Sequence, residues 1–205
     1  FIVLPWVEED NVMIKDLKLE FFLDFLADLH NKSFYTARVN GSFFDETYDF
    51  IASKIDKTNE INLILPRHEQ GLIHEAEGYA KSTGKTGVCL VTSGPGATNI
   101  MTGLADAHYD NIPLVCFTGQ VPLSLIGNDA FQEVDIVGVT RNICKYAITV
   151  RDRKELATII KKAFYVARTG KPGPVVVDIP KEIQLAMGSD EYPEDIAIRG
   201  YKPSN

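Results

Sequence analysis

The chain has 205 residues, is 45% hydrophobic and carries a formal net charge of −7, which allows one ample core and at most two small domains. No run of basic residues exceeds two, so neither nucleic acid nor an anionic membrane is an expected partner. The longest apolar runs, residues 1–7 and 112–117, are far shorter than a bilayer span. Cys89, Cys116 and Cys144 stand too far apart for a metal knuckle. They are expected as buried free thiols, which points to a reducing compartment, most simply the cytoplasm. The opening residues lack the basic lead-in of a signal peptide. They also lack an initiating Met, as in a piece of a longer protein, with Met13 as an alternative start.

Taken in chain order, residues 1–60 hold two amphipathic helix candidates. Leu19, Phe22, Leu26 and Leu29 form one stripe, and Phe44, Tyr48, Ile51 and Ile55 the other. Asn40-Gly41 signals a turn between them. From residue 61 onward strands and helices alternate. A strand over 61–65 leads into a helix on which Glu69, Leu72, Ile73, Ala76 and Ala80 share one face, while Glu75, Glu77 and Lys81 fall elsewhere among the solvated charges. A strand over 87–92, a helix over 97–108 and strands over 113–118 and 146–150 follow. Asp152 and Glu155 read as a capping box for a helix carrying Leu156, Ile159, Ile160, Ala163, Phe164 and Ala167. Gly170 ends it, and residues 174–180 supply a closing strand.

Continuously apolar strands separated by helices predict an α/β fold, a doubly wound and mainly parallel sheet with helices on both faces. The expected divisions are a helical segment over 1–60, the α/β domain over 61–184, and a polar, acidic linker over 185–205. Ligands of such sheets sit at the carboxyl ends of the strands. Glu69 and the turn at Gly94 both fall there.

Three segments could carry chemistry. Glu69 points with an apolar stripe, and a carboxylate in that position must be paired, protonated or employed. The turn Thr92-Ser93-Gly94-Pro95-Gly96-Ala97-Thr98-Asn99 only partly matches a dinucleotide fingerprint, because Asn99 replaces the third glycine and Pro95 removes a backbone donor. It also fits close approach to a ligand or another subunit, or a bare tight turn. The stretch from Gly119 to Glu133 is a long connection with few helix-period signals, and such loops are often functional. It presents an aromatic, amides and carboxylates at a sheet edge. His68, His74 and His108 have no ligand-like spacing, so no metal site is expected.

Together these segments resemble the N-terminal, pyrimidine-binding domain of thiamine-diphosphate enzymes, and specifically the large catalytic subunit of acetolactate (acetohydroxyacid) synthases. The resemblance rests on Leu65-Pro66-Arg67-His68-Glu69-Gln70, the Thr92 to Asn99 turn, Gln120-Val121-Pro122, Ser124-Leu125-Ile126-Gly127, Asp129-Ala130-Phe131-Gln132-Glu133, and the stretch from Gly170 to Lys181. It runs from about Ile61 to Pro203. It implies the thiamine-diphosphate-binding fold and a catalytic role for Glu69. The matching glutamate hydrogen-bonds a ring nitrogen of the cofactor's aminopyrimidine and favours the imino tautomer that deprotonates the thiazolium. Pyruvate is then decarboxylated and joined to a second 2-ketoacid of the pyruvate or 2-ketobutyrate class, in branched-chain amino-acid biosynthesis. Pro95 and Asn99 are the implied cofactor-binding neighbours of Glu69. Pro122, Phe131, Gln132 and Lys145 are implied to line the substrate channel.

The resemblance also implies what lies outside these residues. The Gly-Tyr-Pro-Gly-Gly type of loop that opens the family domain has only Asn40-Gly41-Ser42-Phe43-Phe44 as its nearest analogue. No Gly-Asp-Gly motif for magnesium and the diphosphate occurs in the chain. Magnesium and FAD are therefore expected only in a full-length enzyme, and the chain alone is expected to be inactive. Its expected partner is the diphosphate-binding domain of the same or another subunit, in a homo-oligomer. Two alternatives stay open: another thiamine-dependent carboligase or decarboxylase of 2-ketoacids, and a non-catalytic domain that only binds partner subunits.

Overall fold

The computed structural model describes residues 2–5, 64, 66–186, 188, 193 and 195–203. The two helices expected within 1–60 and, apart from Ile64, the strand expected over 61–65 lie outside the described residues. Among the described residues, five strands form one sheet in the order β1-β2-β3-β5-β4. They are β1 (Ile2–Pro5), β2 (Gly87–Val91), β3 (Leu114–Gln120), β4 (Tyr146–Thr149) and β5 (Pro174–Pro180). Strands β2, β3, β5 and β4 run parallel. Strand β1 pairs antiparallel with β2, with Ile2 opposite Leu90.

The helices are α1 (Glu69–Thr83), α2 (Pro95–Asn99), α3 (Met101–Asp110), α4 (Ile136–Thr140), α5 (Leu156–Arg168) and α6 (Lys181–Leu185). Strand alternation divides the core in two. Val88, Leu90, Val115, Phe117, Val175 and Val177 face α5. Cys89, Val91, Leu114, Cys116 and Val176 face α1, α3 and α4. Both faces of the parallel strands are thus covered, which explains their unbroken apolar sequences. The expected doubly wound α/β fold is the observed one.

Packing is closest where glycines stand. A Cβ on Gly87 would lie 2.4 Å from the Ala76 carbonyl oxygen, and one on Gly103 would lie 2.3 Å from Ile73 Cγ2. These glycines let α1 sit tightly on β2 and α3. Leu72, Ile73, Leu104 and Leu114 are fully buried at that junction, each contributing about 1.5–3 kcal/mol.

Three local expectations are corrected. The helix expected over 97–108 is two helices joined at Ile100. The Thr98 hydroxyl donates to the Pro95 carbonyl, a back-bond that competes with the helical ladder. Asp152 caps a 3₁₀ turn over Arg153–Glu155 by accepting from the Lys154 amide, and α5 starts only at Leu156. Glu77, expected on the solvated side of α1, is buried. It continues the row of Glu69 and Ile73 at four-residue spacing.

Within 185–205, the described residues run back over the α5 side of the sheet. Ile198 and Tyr201 pack on that core, the Tyr201 hydroxyl donates to the Thr169 carbonyl at 2.9 Å, and Lys161 Nζ donates to the Pro193 carbonyl at 2.6 Å.

Candidate functional site

Glu69 is the first residue of α1. His68 precedes it as N-cap, its Nδ1 accepting from the Gln70 amide at 3.1 Å. The helix start favours a carboxylate there. Glu69 is 8% exposed. Asn99 Nδ2, at the last residue of α2, donates to Glu69 Oε2 at 3.1 Å. The second oxygen, Oε1, faces Gly96, where a Cβ would stand at 3.4 Å. One oxygen is therefore fixed, and the other borders a backbone surface without a side chain.

Gly94 begins α2 at φ 59°, in the left-handed range that favours glycine. A Cβ there would strike the Gln132 backbone, 2.7 Å from its carbonyl oxygen. This contact joins the Gly94 turn to the long loop. Gln132 itself has φ 61°. Glu133 ties the loop to itself, its carboxylate accepting from the Gly127 amide and, at 2.9 Å, from the Ala130 amide. Those backbone donors hold the Glu133 carboxyl below its ordinary range. Phe131 consequently projects outward and is 66% exposed.

Beneath the loop lies a buried polar network at the carboxyl ends of β3, β4 and β5. Asp178 is opposite both Thr118 and Thr149 in register. It accepts from Thr118 Oγ1 at 2.7 Å, Thr149 Oγ1 at 3.0 Å and Gln120 Nε2 at 3.2 Å. Burial pushes its carboxyl up to about 6, against the lowering pull of these three hydrogen bonds. Gln120 Nε2 also donates to the Val134 carbonyl at 2.9 Å, and Gln120 Oε1 accepts from the Val121 amide at 2.8 Å.

Six of the seven expected site residues thus occupy the carboxyl edge of the sheet. Glu69, Pro95 and Asn99 form one group; Gln132 joins it through Gly94, with Phe131 beside it; Pro122 follows β3 directly. Lys145 is placed elsewhere. It precedes β4, at the amino-terminal edge of the sheet, where Nζ donates to the Val166 carbonyl at 2.5 Å and to the Thr169 carbonyl. It also lies 5.5 Å from the Tyr201 ring centroid. The lysine that does follow a strand into the carboxyl edge is Lys181, the first residue of α6.

Sequence reasoning placed Gln120 and Asp178 in motif segments but gave neither a role of its own. Their signal was present, as polar residues interrupting the carboxyl ends of otherwise apolar strands. A further cluster joins α1 to α3. His74 Nδ1 meets Glu77 Oε2 at 2.5 Å, and Asp106 brings a third potential ligand atom, all within 4.8 Å of one another. Burial pushes the Glu77 carboxyl up, and the neighbouring Asp106 adds to the rise. The cluster acts as a staple between the two helices.

Comparison with known proteins gives the chain a family. The family described as "Thiamine pyrophosphate enzyme, N-terminal TPP binding domain" matches residues 20–139, starting well ahead of Ile61. The chain is 48% identical over 172 residues to the acetolactate synthase of Arthrospira platensis, covering 83% of this chain and 29% of that protein. It is 50% identical over 151 residues to the chloroplastic acetolactate synthase of Arabidopsis thaliana, covering 74% and 22%. It is equally 50% identical over 151 residues to the mitochondrial acetolactate synthase catalytic subunit of Saccharomyces cerevisiae, covering 74% and 21%. The chain therefore spans less than a third of the length of these relatives. Among the described residues no helix is long and apolar enough to cross a membrane. The family match covers more than half of the chain and spans both Glu69 and the Gly94 turn, so the chain belongs to the thiamine pyrophosphate enzymes and carries their N-terminal TPP-binding domain.

Proposed function

We propose that the chain supplies the pyrimidine-binding half of an acetolactate synthase active site. The observation that supports this most is the Glu69 carboxylate, with Oε2 fixed by Asn99 and Oε1 facing the bare backbone of Gly96. The residues present fit an aminopyrimidine: a carboxyl group to share a proton with a ring nitrogen, and a flat glycine surface beside it. Thiamine diphosphate, when bound, supplies a carbon acid that becomes the nucleophile toward a 2-ketoacid.

The chain's own residues then have defined tasks. Glu69 holds or gives a proton at Oε1, and low exposure keeps that proton from exchanging freely with water. Asn99 holds Glu69 in one rotamer. Pro95 stiffens the turn that leads from Gly94 to Asn99. Phe131, Gln132 and Pro122 border the approach of pyruvate and a second 2-ketoacid of the 2-ketobutyrate class. Lys145, whose amine is held at the opposite edge, has no part in this reading. Magnesium and the cofactor's diphosphate fall to a diphosphate-binding domain of the same or another subunit in a homo-oligomer, and FAD to a central domain outside these residues. The three buried free cysteines suit a reducing compartment such as the cytoplasm.

The test is a chimera in which this chain replaces the matching segment of the Saccharomyces cerevisiae enzyme. With thiamine diphosphate, magnesium, FAD and pyruvate it should form acetolactate, while the 205-residue chain alone should form none. Turnover by the chain alone would refute the half-site reading. A folded, cofactor-binding chimera without carboligation would favour a different thiamine enzyme.

A further inference from the structure

The loop over residues 126–134 is a self-closed unit. Glu133 accepts from the Gly127 and Ala130 amides, and the Glu133 amide donates to the Ala130 carbonyl. Val134 packs on the core, and a side-chain hydrogen bond to the Val134 carbonyl comes from Gln120 at the end of β3, which is 4% exposed. An amide side chain has a donor end and an acceptor end of nearly equal shape, and Gln120 needs them the right way round. Nε2 must face the Val134 carbonyl, and Oε1 must face the Val121 amide.

We propose that Asp178 is a positioning residue that fixes the orientation of the Gln120 amide and thereby docks the loop carrying Phe131 and Gln132 over the cleft. An ionised carboxylate only accepts, so Asp178 Oδ2 can face only the Nε2 end of Gln120. That leaves the second Nε2 proton for Val134 and places Oε1 against Val121. Asp178 is itself held by hydroxyls from both neighbouring strands, Thr118 and Thr149. The groups facing it are Thr118 and Gln120 from β3, Thr149 from β4, and the charge of Asp135 at the start of α4. From Val134 the order passes to Gln132, and from the Gln132 backbone to Gly94, which begins the helix ending in Asn99. An acid buried in the sheet thus sets the loop against the turn under Glu69. The inference rests on the carboxyl edge being the cofactor cleft only for its purpose, not for its geometry.

The experiment uses the 205-residue chain without thiamine or ketoacid. Amide spectra are recorded between pH 4.5 and 8, with hydrogen exchange of the loop at one pH. In the wild type, the Ala130, Glu133 and Val134 amides and the Gln120 side-chain amide should titrate together, and the titration should vanish in Asp178→Asn. In Gln120→Leu the Thr118 and Thr149 amides should still titrate while the loop amides no longer follow. Loop exchange should then rise at least tenfold, with the amides of β3 and β5 unchanged. Gln120→Met, which keeps the length of the side chain and carries neither donor nor titratable group, provides the same comparison should the leucine variant fold poorly. Loop amides that ignore pH in the wild type, or that titrate equally in both Gln120 variants, would overturn the proposal. Because no cofactor is present, its failure leaves the thiamine reading intact, and loss of thiamine activity leaves this relay intact.

Discussion

Asn99 holds one Glu69 oxygen from the far end of the Gly94 turn, so the two residues act as a pair. Asn99→Ala should leave the fold within about 1 kcal/mol of wild type, since Asn99 is exposed and only one partly buried bond is lost. Acetolactate formation by the chimera should fall about tenfold, because Glu69 is free to leave its orientation, a loss equal to roughly 1.4 kcal/mol of transition-state stabilisation. Steady-state rates beside thermal melts check this. Asp178 gives a pH signature. Its carboxyl ionises at about 6 in the folded chain against an ordinary 3.8, so the folded state binds the proton more tightly than the unfolded state. The stability linked to that proton is complete below about pH 4 and is lost as pH rises through 6. Urea midpoints from pH 4 to 8 should show wild type losing up to about 3 kcal/mol relative to Asp178→Asn over that window. A difference independent of pH would contradict it.

At the scale of elements, close packing of α1 against its neighbours makes the sharpest stability forecast. Gly103→Ala forces a methyl to within 2.3 Å of Ile73 Cγ2 and should cost about 1–3 kcal/mol, read as a lowered urea midpoint with an unchanged slope. Gly94→Ala combines a left-handed φ with a backbone collision. It should destabilise by a similar amount and also lower chimera activity, since the turn supports both Asn99 and Gln132.

The same elements show what sequence pattern can and cannot reveal. Apolar periodicity located α1 and α5 and the continuous strands, because burial on two faces leaves no polar alternation to confuse them. It misplaced Glu77, because a charge was read as solvent-facing although its spacing from Ile73 put it on the buried row. The division at Ile100 depends on one hydroxyl hydrogen bond from Thr98, which no periodicity encodes. The resemblance implies a channel role for Lys145, whereas its place in the fold depends on which end of β4 it precedes. Asp178 and Gln120 become partners only through the register that sets β3 beside β5.

On the scale of the whole molecule, the sheet gathers the motifs of three separate segments onto one edge, and six of the seven expected site residues arrive there. That edge carries an acid, a glycine platform and a loop with an exposed aromatic side chain, but the chain contains no Gly-Asp-Gly motif for a diphosphate and its metal. In the proposed function, the 205 residues form one side of a composite site and a diphosphate-binding domain forms the other. In that proposal Glu69 governs the cofactor's proton chemistry. The most direct measurement is the rate of acetolactate formation by the chimera with Glu69 and with Glu69→Gln, at saturating thiamine diphosphate and magnesium. A fall of at least a hundredfold in kcat, with the melting temperature unchanged, is the predicted result. Equal rates in the two proteins would contradict it.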